Sequence, residues 1–465
     1  MVVVVVAAVS AVAIFQFVGF ERAATELEET ARPDEGQGDG DFLDELFEDL
    51  LGGRGFPGAR PDLLACLGGE GVFGGEPAPP PGGGLEQQVR VLARQVEDIR
   101  DLRFEEPVEP RFLPSGQTAD RVQDLFLEEY TAEVADTETR ILEALGAIPP
   151  GTDLRETRAR AVGSQVVGFY VPQTGELVVE ARDRELGAVE RVTLAHELEH
   201  ALADQNMEFP IPLQPRPGHE DRDLAGLAVI EGDATLTMQR YLFTLSFEEQ
   251  FELADPALQA EAEAGLASLP YYLRQELLFP YESGLSFVCG LFADGGWEAV
   301  NRAYEDPPTT SAQILFPDRF VAGEEAVDPA DPGDPGHGWD FEGRHEVGAA
   351  NLLWLFEAPG GERSRALAEP MIGASAWAGG EVQLWERGVD TAVGVALAEG
   401  DGQDILCSAM SHWYLAAFPD VEQRGSALDG GLELDAARQD AVLRCTDDEV
   451  HLGIAPDMVT ADRLA

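Results

Sequence analysis

The run TLAHELEHALADQ, residues 193–205, constrains this chain more than any other feature. His196 and His200 stand four apart, with Glu197 directly after the first. That spacing converges on an α-helix, where residues one turn apart share a face and two imidazoles can reach one ion. Val189, Val192, Leu194, Leu198, Ala201 and Leu202 supply an apolar stripe away from the histidines. A packed helix over about 186–205 is therefore expected. Glu197 is rotated off the axis of the two histidines and can reach a water on the ion, whose pKa zinc lowers to roughly 7. Such a site usually takes three protein ligands and leaves a fourth position open.

The third ligand must come from another element. Glu231, within Val229-Ile230-Glu231-Gly232-Asp233-Ala234, is the first choice. A carboxylate in an otherwise apolar helical stretch is costly unless it has a partner. Gly232 beside it would let two helices approach closely. Glu220 and His219 compete for the role, and a buried arginine partner is the plain structural alternative for Glu231. Asp204, one turn beyond His200, is placed to fix an imidazole tautomer. Position 206, six beyond His200, is Asn, so the metzincin pattern is absent. The expected cofactor is Zn2+ on His196, His200 and Glu231, although Co, Mn or Fe would also suit two histidines and a glutamate.

Around the motif the chain reads as α+β and mainly helical. Residues 166–179, VVGFYVPQTGELVV, hold two β-rich runs about Pro172-Gln173-Thr174-Gly175 and predict a hairpin before the motif helix. Val89, Leu92, Val96 and Ile99 mark one face of a helix over about 85–102. Further helices are expected over 119–145, 221–246, 248–305, 345–357, 363–375 and 402–418. A 465-residue chain is long enough for one large domain or two or three smaller ones. The expected division is a segment 1–20, an acidic Gly/Pro-rich linker 21–84, a helical region 85–147, the domain carrying the motif 148–420, and an extension 421–465.

Residues 1–20 are apolar apart from Ser10, Gln16 and Gly19, and twenty helical residues span about 30 Å, the thickness of a bilayer core. This predicts a transmembrane anchor or signal segment and an extracytoplasmic location, tethered or secreted. The chain carries 87 acidic against 31 basic residues, a net charge of -56, with no lysine. Such a surface repels nucleic acid, so polyanion binding is excluded as the main activity. Cys66, Cys289, Cys407 and Cys445 form no CxxC pair, which argues against a thiolate metal site. In an exported chain Cys407 with Cys445 is the expected disulfide.

The runs GFYVPQTGELVV, LAHELEHALADQ and EGDA, followed by PYESGLSFV, GGWEAVNRAYEDPP, SAQILFPDRF and AWAGGEVQLW, resemble a family of actinobacterial-type predicted zincin-like metallopeptidases. The resemblance covers roughly residues 85–420. It implies a mainly helical gluzincin-like domain with Glu231 as third ligand, Glu197 as general base, and a peptide or protein substrate. Relatives tend to carry His at the position of Phe316, and Gly-Trp-Gly-Gly-Asp where this chain has Ala376 to Glu381. If that His stabilises the oxyanion in relatives, another donor must serve here, with His345, Tyr281 and Tyr170 as the candidates. His337, His412 and His451 read as structural or exposed. The competing expectation is a cell-envelope binding protein that keeps the fold without turnover.

Overall fold

The computed structural model describes residues 5–6, 66 and 82–465, apart from 115, 165, 167, 181–185, 212–217, 254–263, 401–403, 427–431 and 436–438. The chain is a mixed α+β fold in which helix predominates. Strand β1 (Val5–Val6) is followed by α1 (Leu85–Arg100), β2 (Arg111–Leu113), α2 (Gln117–Glu129), α3 (Ala132–Ala144) and α4 (Leu154–Ser164). The hairpin β3 (Gly168–Val171) and β4 (Glu176–Glu180) leads into α5 (Ala188–Asn206), which carries the two histidines. Next come α6 (Glu220–Leu242), α7 (Phe247–Leu253) and the long α8 (Tyr271–Glu305).

The helical region expected over 119–145 is built of two helices. Thr131 interrupts it in extended backbone and accepts a hydrogen bond from Val134 N, capping α3. The hairpin lies in a four-stranded sheet of order β1-β3-β4-β2. Its turn holds Gly175 at φ 65°, a left-handed conformation that glycine adopts without steric cost.

The expected transmembrane helix over 1–20 needs correction. Among the described residues no helix is long and apolar enough to cross a membrane. Val5 and Val6, the described part of that run, form a strand paired antiparallel with Tyr170 and Phe169. A run of β-branched valines suits a pleated strand as well as an apolar helix. The rest of 1–20, and nearly all of the expected linker 21–84, lie outside the described residues.

Beyond α8 come α9 (Ser311–Leu315), α10 (Pro317–Ala322), β5 (Asp340–Glu346), α11 (Ala349–Glu357) and α12 (Pro370–Ser375). They lead to β6 (Trp377–Arg387), β7 (Asp390–Glu399), α13 (Ile405–Ala417), β8 (Glu422–Ser426), β9 (Leu432–Asp435), β10 (Asp440–Cys445), β11 (Glu449–Ala455) and α14 (Met458–Leu464). The strands join in one seven-stranded antiparallel sheet, ordered β5-β6-β7-β11-β10-β9-β8. Residues 421–465 thus complete the sheet that β5–β7 begin. Where helix was expected from 345 and across 363–375, strand β5 occupies 340–346, and helix α12 covers only 370–375.

Among the described residues two apolar cores are the largest. One joins Val89, Leu92 and Val96 of α1 to Leu177 and Val179 of β4 and to Val192, Leu198 and Leu202 of α5. Each such side chain, fully buried, contributes about 1.5–3 kcal/mol. The larger core lies between α6, α8, α11, α13 and the seven-stranded sheet. Disulfides Cys66–Cys289 and Cys407–Cys445 tie the chain, the second as expected from the sequence.

Candidate metal centre

Helix α5 is buried on every side from Arg191 to Ala203, not only along its apolar stripe. His196, Glu197, Glu199 and His200 are all fully enclosed. Glu231, on the neighbouring α6, is buried with them. The contact of α6 with α8 holds it there: Gly232 and Gly284 let the two backbones meet, and a Cβ on Gly232 would sit 2.3 Å from Gly284 O. The close approach expected at Gly232 is thus with α8.

His196, His200 and Glu231 converge, and among the described residues they are the one group arranged to hold a metal ion. His196 Nε2 lies 2.9 Å from His200 Nε2 and 3.1 Å from Glu231 Oε2, and His200 Nε2 lies 3.5 Å from the same oxygen. Zinc with bonds of about 2.0–2.1 Å in tetrahedral geometry spaces its ligand atoms roughly 3.3–3.4 Å apart. The observed triangle, with sides of 2.9, 3.1 and 3.5 Å, is close to that size but tighter on two sides. Two imidazole nitrogens and a carboxylate oxygen facing one another in a buried space are a donor set suited to a cation.

Electrostatics act on two of these groups. Burial, and then the neighbouring His196, push His200 down to about 4 against the pull of Glu231, so its imidazole is neutral. Burial opposes the charge on Glu231, but hydrogen bonds with His196 and His200 outweigh it and hold the carboxyl below its ordinary value. The His196 ring lies 6.2 Å from that of Tyr281, stacked at 25°. Burial, then Glu231 and Glu197, push the Tyr281 phenol well above its ordinary value, so it stays protonated and able to donate.

Strand β3 runs along the motif helix. A Cβ on Gly168 would lie 3.4 Å from Glu197 Cγ and 3.6 Å from Thr193 Cγ2. Farther along, the Tyr170 hydroxyl donates to Asp204 Oδ2 at 2.6 Å. Asp204 therefore bonds to Tyr170, where a bond to a histidine ring was expected. Strand β1 adds to the edge of β3 and also touches α5.

His345 is placed elsewhere, its Nδ1 3.0 Å from Glu220 Oε1, while His219 lies 3.9 Å from Glu346. Glu220 accepts from the backbone of Glu346 and Gly218. These residues, weighed as ligands or as an oxyanion donor, instead join the start of α6 to the end of β5.

A second buried cluster was not foreseen. Arg100, the last residue of α1, is fully enclosed. Its Nε and Nη2 donate to Asp233 at 2.9 and 2.8 Å, and Nη2 donates to Asn301 at 2.6 Å. Tyr304 donates to Asp233 at 3.0 Å. The Arg100 guanidinium lies 4.4 Å from the Trp297 ring centroid. Glu199 Oε1 lies 3.7 Å from Arg100 Nε. Burial, and then Asp233, push Glu199 well above the ordinary carboxylate range, with Arg100 opposing. The signal in the sequence was Asp233 itself, a second carboxylate in the apolar stretch that holds Glu231. Within EGDA one acid faces the histidines and the other clamps Arg100. No protein-family model, no curated protein and no solved structure matches the chain.

Proposed function

We propose that the chain is a zinc-dependent metallopeptidase of zincin type, in which His196, His200 and Glu231 hold the metal and Glu197 is the general base. The observation that carries this reading is the convergence of His196 Nε2, His200 Nε2 and Glu231 Oε2, with Glu197 directly after His196 on the same helix. Zinc held there supplies Lewis acidity, which acidifies water and polarises the scissile carbonyl. The Glu197 carboxylate takes the proton of the attacking water and passes it to the leaving amine. Tyr281, kept protonated beside Glu231, is the donor toward the developing oxyanion. The side of strand β3 that β1 covers would take an extended peptide as an antiparallel strand in place of β1, carried past Glu197 at Gly168. Val5 and Val6 make such a pairing with this edge, which supports an extended polypeptide as substrate. The two disulfides favour an oxidising, extracytoplasmic setting.

Glu197→Gln tests the mechanism. The variant is expected to keep its zinc and lose hydrolysis of casein and denatured proteins by 10²-fold or more, the size of a general-base contribution of about 10²–10⁴. Full activity in that variant would sink the assignment. Complete burial of His196, Glu197 and His200 favours a second reading, a metal-holding binding protein without turnover. Stoichiometric zinc with no cleavage of any protein substrate would select it.

A further inference from the structure

The proposed metal site leaves one buried carboxylate unexplained. Glu199 is fully enclosed, next to His200 in sequence, with its Oε2 3.7 Å from His200 Nδ1. Among the described residues neither Glu199 oxygen nor His200 Nδ1 makes a hydrogen bond. An imidazole that offers its Nε2 lone pair must carry its proton on Nδ1, and a buried N–H needs an acceptor. Asp204, the other carboxylate one turn away, bonds to Tyr170.

Charge balance points the same way. Asp233 holds Arg100 through three short contacts. One carboxylate therefore neutralises the guanidinium. A second carboxylate on the same cation adds burial cost that an amide or apolar side chain would avoid. Pairing with Arg100 alone therefore does not account for Glu199.

We infer that Glu199 is the positioning residue for His200: it accepts the Nδ1–H bond, fixes the tautomer that presents Nε2, and is steadied by Arg100 from helix α1. A carboxylate shift of under about 1 Å brings the pair to hydrogen-bond length. This inference rests on the metal reading above and adds that the end of α1, far away in sequence, helps set the geometry of a ligand on α5.

The test uses the full chain and zinc alone, with affinity measured by competition against a chromophoric chelator. Glu199→Ala is expected to weaken zinc binding about 10–100-fold, the usual effect of removing a carboxylate behind a metal-bound histidine. Glu199→Gln, whose amide oxygen still accepts the Nδ1–H, is expected to retain most of the affinity. Asp204→Asn is expected to bind zinc like the parent. In the zinc-loaded parent the His200 Nδ1–H proton should give a downfield NMR resonance, displaced upfield in Glu199→Gln. Parent affinity in a folded Glu199→Ala variant overturns the inference. If that variant does not fold, an unmoved resonance in Glu199→Gln overturns it instead. A parent chain that binds no zinc defeats the metal reading itself, an outcome distinct from both.

Discussion

Replacing Gly232 with alanine tests how Glu231 is positioned. The added Cβ would lie 2.3 Å from Gly284 O, 2.4 Å from Gly284 C and 2.9 Å from Val288 Cγ2. Contacts under 3.0 Å are essentially never seen for real Cβ atoms, so α6 and α8 must part by at least about 0.7 Å. The clash is with backbone, and no rotamer relieves it. Overpacking of this kind costs about 1–3 kcal/mol, and the backbone contact puts Gly232→Ala at the upper end. Alanine's better helix propensity returns about 1 kcal/mol. The net expectation is a loss of about 2 kcal/mol, or about 4 °C in Tm for a large domain. Glu231 adjoins the clash, and Tyr281 lies one turn before Gly284, so both site residues are dragged with their helices. Zinc affinity should fall with stability. Thermal melts of the zinc-free protein and chelator competition read the two effects. A variant that melts at or above the parent and binds zinc equally well would refute the account of this contact.

Two further predictions concern the surroundings. Asp221, at the start of α6, is buried, accepts from Ser311 N, and leaves Oδ1 without a hydrogen bond among the described residues. Burial raises it from 3.8 to about 7, against the bonds from Ser311. The folded chain therefore keeps a proton that the unfolded chain releases from about pH 4 upward, and stability falls as pH rises toward 7, by at most about 1.4 kcal/mol per unit. Asp221→Asn should flatten that slope in denaturant melts between pH 5 and 7, and parallel profiles would contradict the assignment. Asp233→Ala strands the enclosed Arg100 guanidinium and should cost about 3–5 kcal/mol. A loss under about 1 kcal/mol, the range of exposed pairs, would show that the cluster does not hold α1 in place.

The convergence of His196, His200 and Glu231 was largely legible because its geometry is local. A four-residue spacing fixes two histidines on one helix turn, and a carboxylate in an apolar run needs a partner wherever the helices cross. Glu199 was not legible. Its neighbours Arg100 and Asp233 come from two other helices, and nothing in the motif distinguishes it from a solvated residue. Asp204 has the better spacing on paper, but the Tyr170 hydroxyl on the adjoining strand bonds to it.

The seven-stranded sheet escaped the sequence for another reason. Strand β7 is buried on nearly every residue from Ala392 to Glu399, so it shows no two-residue alternation. Strand β6 has Gly379 and Gly380 inside it, where Val327 and Val347 backbone oxygens approach. Glycines in a strand weaken its local signal and mark such close backbone contact. Val5 and Val6 pair as a strand where a span was expected, because length and hydropathy alone do not separate the two.

Metal content of the purified chain, by elemental analysis after reconstitution with zinc, bears most directly on the central claim. The account predicts about one zinc per chain, as a site with two histidines and a glutamate requires, and loss of that zinc in His196→Ala. A folded parent chain that retains no zinc would contradict it, leaving His196, His200 and Glu231 as a buried hydrogen-bonded cluster and nothing more.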